Sequence, residues 1–270
     1  MSLAGVARRL LLPTMLAPAL AVGATTAQNA DLRVVAVIAN AAAKQTGVPV
    51  AEAEKDPLVK ALRERLPRAR LQVLSGEQAT REAIEKALRE SHPGGRLLFY
   101  FSGLTVSQQA GAALLVGSTA PSQEALFDGS RLVTRSDLFA WLQASGAARV
   151  ALLVDGGEEV ARFCEGPQPD LVPNPEGADR GWFALCSASP GELPAIEPDG
   201  RGWLSIAAGR MLGSERTAFG WLLAIVREMW QTAGGRQSPV LHLEGRDFAL
   251  QPPSAKAIVG RMKTREGSPP

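Results

Sequence analysis

The chain has 270 residues, which suits one large domain or two small ones. Apolar residues make up 46% of it and charged residues 21%, a balance typical of a folded globular protein and not of a disordered one. The formal net charge of +2 is far from the basic excess of nucleic-acid-binding proteins, so we expect no nucleic-acid partner.

The first 27 residues differ in composition from the rest. Arg8 and Arg9 form a short basic lead, residues 10–24 are apolar with two prolines, and small residues follow. This order is typical of a secretory signal peptide, and the apolar run is too short for a stable membrane span. We therefore expect residues 1–27 to be removed on export, to the periplasm or outside the cell. The Sec and twin-arginine routes are both open, and a retained anchor is the alternative.

Strands and helices alternate along the remaining chain. Apolar β-branched runs predict buried strands, and apolar residues at helical spacing predict helices. In chain order the pattern predicts a strand at 32–40, a helix at 56–69, a strand at 70–76, a helix at 76–92, a strand at 96–103, a helix at 134–147, strands at 149–157 and 181–191, a helix at 217–235 and a last strand or hairpin at 239–251. Pro/Gly-rich segments at 168–179 and 190–202 predict long surface loops. This order is typical of a mostly parallel sheet with helices on both faces.

Tryptophans mark candidate core positions. Trp141, Trp221 and Trp230 fall at inward positions of predicted helices, so we expect them in the core. Trp182 and Trp203 flank a predicted loop, where they serve either as walls of a groove or as anchors of the loop.

The chain has two cysteines, Cys164 and Cys186, and two histidines, His92 and His242. Neither cysteine stands in a C-x-x-C motif, and the histidines are too few for a structural zinc site. The sequence therefore predicts no metal and no other cofactor. An exported chain meets an oxidising compartment, in which the two cysteines can pair as a disulfide.

Two strand ends carry candidate chemistry, because ligands of open α/β sheets bind at the carboxyl ends of the strands. One is the stretch YFSGLT, Tyr100–Thr105, and the other is DGGE, Asp155–Glu158. Both follow strands that are predicted to be central, and both enter loops.

These motifs resemble those of the caspase-like cysteine peptidases, in particular the bacterial metacaspase type. In that family the third strand ends in Tyr-Phe-Ser-Gly-His-Gly, whose His is the general base, and the fourth ends in Asp-x-Cys-x-Ser-Gly, whose Cys is the nucleophile. Here Tyr100–Gly103 match the first motif and Asp155 begins the second. Leu104 stands at the His position and Gly157 at the Cys position.

The resemblance extends from Leu32 to Leu250, with further similarity in SASPGELPAIE and GRQSPVLHLEGRDFAL. It implies a caspase-like three-layer α/β sandwich with a mostly parallel sheet of about six strands. We place this domain at residues 30–252 and a flexible C-terminal tail at residues 253–270.

The replacement of both catalytic positions removes the chemistry on which such peptidases depend. The attacking group is a thiolate generated by a nearby imidazole, whereas leucine accepts no proton and glycine has no side chain. We therefore predict an exported pseudopeptidase that binds or regulates a peptide or protein without cleaving it. The alternative is an active cysteine endopeptidase that uses a relocated Cys164. A third function is that of a regulatory partner, as a homodimer or as a heterodimer with an active relative.

Two carboxylates remain near the predicted site. Asp155 ends a strand, and Asp56 precedes Pro57 at the start of the first helix. In metacaspase-type members the matching residues line a pocket for a basic side chain. The resemblance thus implies a ligand site of Asp56, Asp155, Ser102 and Gly103 that takes an Arg or Lys side chain. The structural alternative is that Asp56 caps the helix and Asp155 caps a turn.

Overall fold

The structure is a computed structural model that describes residues 32–39, 53–90, 94–108, 111–117, 129–157, 159–164, 181–197, 201–234, 237–245 and 247–250. All of these residues belong to one compact unit of the chain. The expectations for the signal peptide, residues 1–27, and for the C-terminal tail, residues 253–270, fall outside the described residues.

Nine strands occur in the described part of the chain. They are β1 Leu32–Ile38, β2 Arg70–Ser75, β3 Arg96–Ser102, β4 Leu104–Gln108, β5 Gly111–Leu115, β6 Leu132–Thr134, β7 Arg149–Asp155, β8 Gly181–Cys186 and β9 Val240–Gly245. Six of them form a sheet in the order β2-β1-β3-β7-β8-β9. Every pair in this sheet is parallel except β8 and β9, which are antiparallel.

Five α-helices accompany the strands in the described residues. They are α1 Pro57–Arg65, α2 Arg81–Arg89, α3 Arg135–Ala144, α4 Trp203–Met211 and α5 Ala218–Ala233. Within the described ranges, none of the helices is both long enough and apolar enough to cross a membrane.

The helix ends follow from capping groups and proline. Asp56 caps α1, and α1 stops at Arg65 because Pro67 disfavours helical geometry at the residue before it. Thr134 caps α3 and forms a capping box with Asp137. Thr80 caps α2, which therefore starts at Arg81. Both α1 and α2 are shorter than the sequence pattern predicts, while α3 begins within a residue of its predicted start.

The six-stranded sheet lies between two layers of helices. Alternate residues of β1 face opposite sides, with Val35 and Val37 in the core cluster of α2 and α3. Val34 and Ala36 lie in the cluster of α1, α4 and α5. β1, β3 and β7 are buried along almost their whole length, as central parallel strands are. The predicted α/β three-layer sandwich with a mostly parallel sheet of about six strands is confirmed.

Two features were not predicted from the sequence. Strands β4, β5 and β6 form a separate antiparallel sheet. Helix α4 follows a Pro/Gly-rich stretch and starts after Gly202, which supplies no capping side chain. Both are short elements that depend on tertiary packing for their stability, so the local pattern is weak.

The tryptophans divide between core and surface. Trp141 and Trp221 are buried as predicted, but Trp230 is 53% exposed, so its assignment to the core was wrong. Trp182 lies in β8 and is buried against Phe139, and it therefore belongs to the core and not to a loop. Helical spacing alone does not separate the buried face of α5 from its flank.

Candidate functional site at the strand ends

The residues singled out by the motifs lie together at the carboxyl edge of the large sheet. β3 and β7 are neighbours, with Ser102 opposite Asp155 in the register. Beyond the strands, Leu104 at the start of β4 reaches Gly157. A methyl group in place of a Gly157 Hα would lie 3.0 Å from Leu104 Cδ1 and 3.1 Å from the Thr105 carbonyl oxygen. Leu104 therefore closes the space in which a side chain at position 157 would stand.

The turn after β3 is tightly packed. The Gly103 N–H donates to the Asp155 carbonyl oxygen at 3.0 Å. A methyl group on Gly103 would lie 2.7 Å from the Phe101 ring and 2.9 Å from Ala39 Cβ, so the turn requires glycine. The buried Thr105 hydroxyl has no hydrogen-bond partner among the described residues, and hence no base to activate it as a nucleophile.

Asp56 is buried where α1 begins, and both of its carboxylate oxygens accept hydrogen bonds. Oδ1 accepts the backbone N–H groups of Leu58 and Val59, each at 2.9 Å. Oδ2 accepts the hydroxyls of Tyr100 and Ser205, each at 2.9 Å. Burial raises the pKa of Asp56, and the four hydrogen bonds act in the opposite direction. Asp56 therefore caps α1 and also joins it to β3 and α4.

Asp155 ends β7 and points at the N-terminus of α4. Its Oδ2 accepts the Ser205 backbone N–H at 3.2 Å. Burial raises the pKa of Asp155 to about 7 and the charge of Asp56 adds to this rise, while hydrogen bonds from the Ser205 N–H and the Ser187 side chain oppose it. Gly202 lies directly against the carboxylate, since a methyl group there would be 1.9 Å from Oδ2. Only glycine allows α4 to start this close to Asp155.

The two carboxylates form a buried acidic pair, defined as Asp56 and Asp155. Asp56 is 2% exposed and Asp155 is 5% exposed. Within the described residues, no basic side chain contributes to the pKa of either. Burial first, and then the charges of the acidic pair, raise the pKa of the Tyr100 hydroxyl well above its ordinary value, so that it stays a proton donor. The pair is thus held by neutral donors alone.

The structure joins Cys164 and Cys186 in a disulfide, and both are buried. Cys164 follows the short 3₁₀-helix Val160–Phe163, and Cys186 ends β8. His242 lies on the edge strand β9, and His92 lies outside the described residues. A relocated catalytic dyad needs a free thiol at Cys164, which the disulfide does not leave.

The segment between β8 and α4 is tied to the segment before β9. The buried Gln237 side chain donates to the Ser187 carbonyl oxygen and accepts the Ala195 N–H at 3.0 Å. Glu192 accepts the Ser238 N–H at 2.8 Å. These bonds fix the chain that leads to the start of α4, and so they help to hold the cover over the acidic pair.

Three residues complete the site in roles that the sequence analysis missed: Tyr100, Ser205 and Gly202. Tyr100 is the single tyrosine of the chain and stands in an otherwise apolar strand, a signal that could have indicated a buried hydrogen-bonding role. Ser205 and Gly202 act through α4, the helix that the pattern did not predict.

Comparisons with known proteins bear on the fold. No protein-family model matches the chain, and no curated protein matches it. Among solved structures, the chain is similar to the crystal structure of protein GSU0716 from Geobacter sulfurreducens, with a TM-score of 0.51. The sequences are 14% identical, and the similarity covers 84% of this chain and 96% of that one. Likeness at this identity concerns the course of the backbone alone.

Proposed function

We propose that the protein is an exported, caspase-like pseudopeptidase that binds a peptide or protein through a basic side chain and does not cleave it. The observation that carries this proposal is the contact between Leu104 and Gly157. The resemblance assigns the general base and the nucleophile of a cysteine peptidase to these two positions, and a Cβ added to Gly157 would lie 3.0 Å from Leu104 Cδ1. Leucine and glycine have no side-chain group that could act as a general base or as a nucleophile.

The acidic pair supports the choice of ligand. Within the described ranges no cation stands beside these two buried carboxylates, and their charges therefore carry an electrostatic cost that an arginine or lysine side chain offsets. Asp56 already accepts four hydrogen bonds, two at each oxygen. Asp155 accepts the Ser205 N–H at 3.2 Å and a hydrogen bond from the Ser187 side chain, fewer donors than Asp56 has, so Asp155 is the main anchor for the cation.

A ligand reaches Asp155 only if the start of α4 moves. Gly202 covers the carboxylate, and the Ser205 N–H occupies its Oδ2. An incoming guanidinium displaces this N–H and lifts the turn at Gly202. Hydrogen exchange at the Ser205 amide therefore increases when a basic ligand binds, which gives a readout that is independent of affinity.

The test uses two peptides that differ only in one side chain, arginine or its uncharged isostere citrulline. Calorimetric titration should show binding of the arginine peptide at least about tenfold tighter, or about 1.4 kcal/mol. The Asp155→Asn variant should lose this preference, because the carboxylate that selects the charge is gone. Glu64→Gln, which removes an exposed carboxylate of α1, is the matched control and should keep it.

Two results contradict the proposal. If the wild-type chain binds the two peptides with equal affinity, the protein does not recognise a basic side chain. If mass spectrometry detects cleavage of either peptide, the protein is not a pseudopeptidase.

A further inference from the structure

We propose that a cavity between α4 and α5 binds a primary alkylammonium group, carried either by a free aliphatic amine or by a lysine side chain. The cavity has a volume of about 40 Å³. This exceeds the roughly 10–15 Å³ that one water molecule requires, so an ammonium group and the methylene next to it can enter. Trp203 and Arg210 line the cavity from one face of α4, whereas Ser205 on another face bonds to the acidic pair. The inference therefore does not depend on the proposed function.

The cavity has an apolar floor and an aromatic wall. Ala207 of α4 and Met229 of α5 line it and are only 3% and 1% exposed, so they form its inner end. The Trp203 indole N–H donates to Glu197 Oε1 at 3.1 Å, which holds the ring in place. The methylene groups of a ligand would pack on the alanine and the methionine, and an indole ring attracts a cation that lies over it.

Two carboxylates flank the cavity along the axis of α4. Trp203 and Arg210 are seven residues apart, which is about 10 Å along the helix, and each bonds to a glutamate that lines the cavity. Glu197 lies at the Trp203 end, and Glu228 pairs with Arg210 at 3.1 Å. The Glu228 side chain is 22% exposed and that of Arg210 is 60% exposed, so the carboxylate is the more buried member of the pair. The lining thus has two negative charges and one positive charge, which favours a cationic ligand.

A primary ammonium group suits this lining better than other cations do. It is compact, and its three donors match three acceptors of the lining, which are the carboxylates of Glu197 and Glu228 and the hydroxyl of Thr232. A guanidinium group is a planar fork that needs more room. A calcium ion takes six to eight oxygen ligands, which a cavity with an apolar floor does not supply.

Titration of the full chain with n-butylammonium chloride, followed by NMR at pH 7 and constant ionic strength, tests the site. An alkylammonium has a pKa of about 10.4 and is charged at this pH. We expect a saturable shift of the Trp203 indole N–H signal, which is assigned by its loss in Trp203→Phe. The neutral analogue 1-butanol should bind at least about tenfold more weakly. Blocked lysine, Nα-acetyl-lysine methylamide, distinguishes the two sources, because it binds as tightly as butylammonium only if the cavity also accepts a peptide side chain.

Two pairs of variants separate the cavity from general attraction of cations to the surface. Glu228→Gln should weaken butylammonium binding at least about tenfold, whereas Glu82→Gln, which removes an exposed carboxylate of α2, should not. Thr232→Phe should also abolish binding, because it fills the cavity and leaves both carboxylates in place. Its control is Gln231→Phe, at the neighbouring exposed position of α5. Thr232 is exposed as well, so its replacement leaves the core intact.

Three results would each overturn the proposal. The first is a Trp203 indole signal that butylammonium does not shift. The second is equal affinity for butylammonium and 1-butanol, which would mean that the cavity does not select the charge. The third is unchanged binding of butylammonium in Thr232→Phe, which would place the cation outside the cavity.

Discussion

At the scale of single residues, Leu104 and Gly157 are neighbours where β3 and β7 end. A Cβ added to Gly157 would lie 3.0 Å from Leu104 Cδ1. We predict that the variant Leu104→His/Gly157→Cys has a thiol pKa at least about one unit below that of Gly157→Cys alone. A nearby imidazolium stabilises the thiolate, and exchanging the leucine also relieves the crowding at position 157. The pH dependence of alkylation by iodoacetamide measures both values.

The control for this pair is Leu104→Phe/Gly157→Cys, which changes the bulk at position 104 without adding a base. Its thiol should behave as in Gly157→Cys. The native cysteines do not interfere, because Cys164 and Cys186 are joined to each other. Equal thiol pKa values in all three variants would mean that these strand ends do not hold the geometry of a catalytic pair.

What the sequence could predict of the site depends on where each residue lies along the chain. Asp155 and Leu104 follow apolar strand runs, so the rule that strand ends gather chemistry was enough to select them. The hydrogen bonds of Asp56 to Tyr100 and Ser205 join residues 44 and 149 positions away, and no local pattern encodes such contacts. The burial of the acidic pair follows from the same long-range contacts.

At the scale of elements, α4 and β7 meet at one point of close approach. A Cβ added to Gly202 would lie 1.9 Å from Asp155 Oδ2. We predict that Gly202→Ala lowers the free energy of unfolding by roughly 1–3 kcal/mol, because the start of α4 has to move away from the carboxylate. Urea unfolding measures this change.

Gly129→Ala is the matched control for Gly202→Ala. A Cβ at Gly129 would have no neighbour within 4 Å, so we expect a change within about 0.5 kcal/mol. A Gly202→Ala variant as stable as the control would show that α4 is free to shift at its N-terminus without loss of contacts.

Elements differ in how far their own sequence determines them. α3 has a capping box of Thr134 and Asp137 and apolar residues at helical spacing, so its start is readable locally. α4 has neither a side-chain cap nor a strong stretch of helix formers, since Ser205 and Gly209 lie inside it. Gly209 packs against the Pro57 carbonyl group at the start of α1, and a Cβ at position 209 would lie 2.6 Å from the carbonyl oxygen. Contact with α1, and not the helix propensity of its own residues, therefore explains why α4 forms.

At the scale of the whole molecule, the alternation of strands and helices was sufficient to predict the layers. Parallel neighbours need crossover helices, and these helices cover both faces of the sheet. The edges of the sheet were less predictable, because helical spacing in α5 gives no sign of which flank meets other parts of the chain. Trp230 therefore looks like a core residue in sequence although it is 53% exposed.

The stability of the whole molecule should depend on pH through the acidic pair. Burial raises the pKa of Asp155 from 3.8 to about 7, so in this window the folded chain binds a proton that the unfolded chain has lost. The free energy of unfolding therefore falls as pH rises from about 4 to about 7, by at most roughly 1.4 kcal/mol per pH unit from this group. Asp56, whose pKa is also raised, acts in the same direction. Urea unfolding of the wild-type chain and of Asp155→Asn at a series of pH values measures the effect.

The wild-type chain should lose stability relative to Asp155→Asn across this window and run parallel to it well above pH 7, where Asp155 is ionised in both the folded and the unfolded state. Asp137 does not disturb the comparison, because its pairing with Arg81 holds its pKa at about 2, below the window. A difference between wild type and Asp155→Asn that stays constant with pH would mean that the Asp155 carboxylate is ionised throughout. In that case it would have to be stabilised by a cation or by water that reaches it past Gly202.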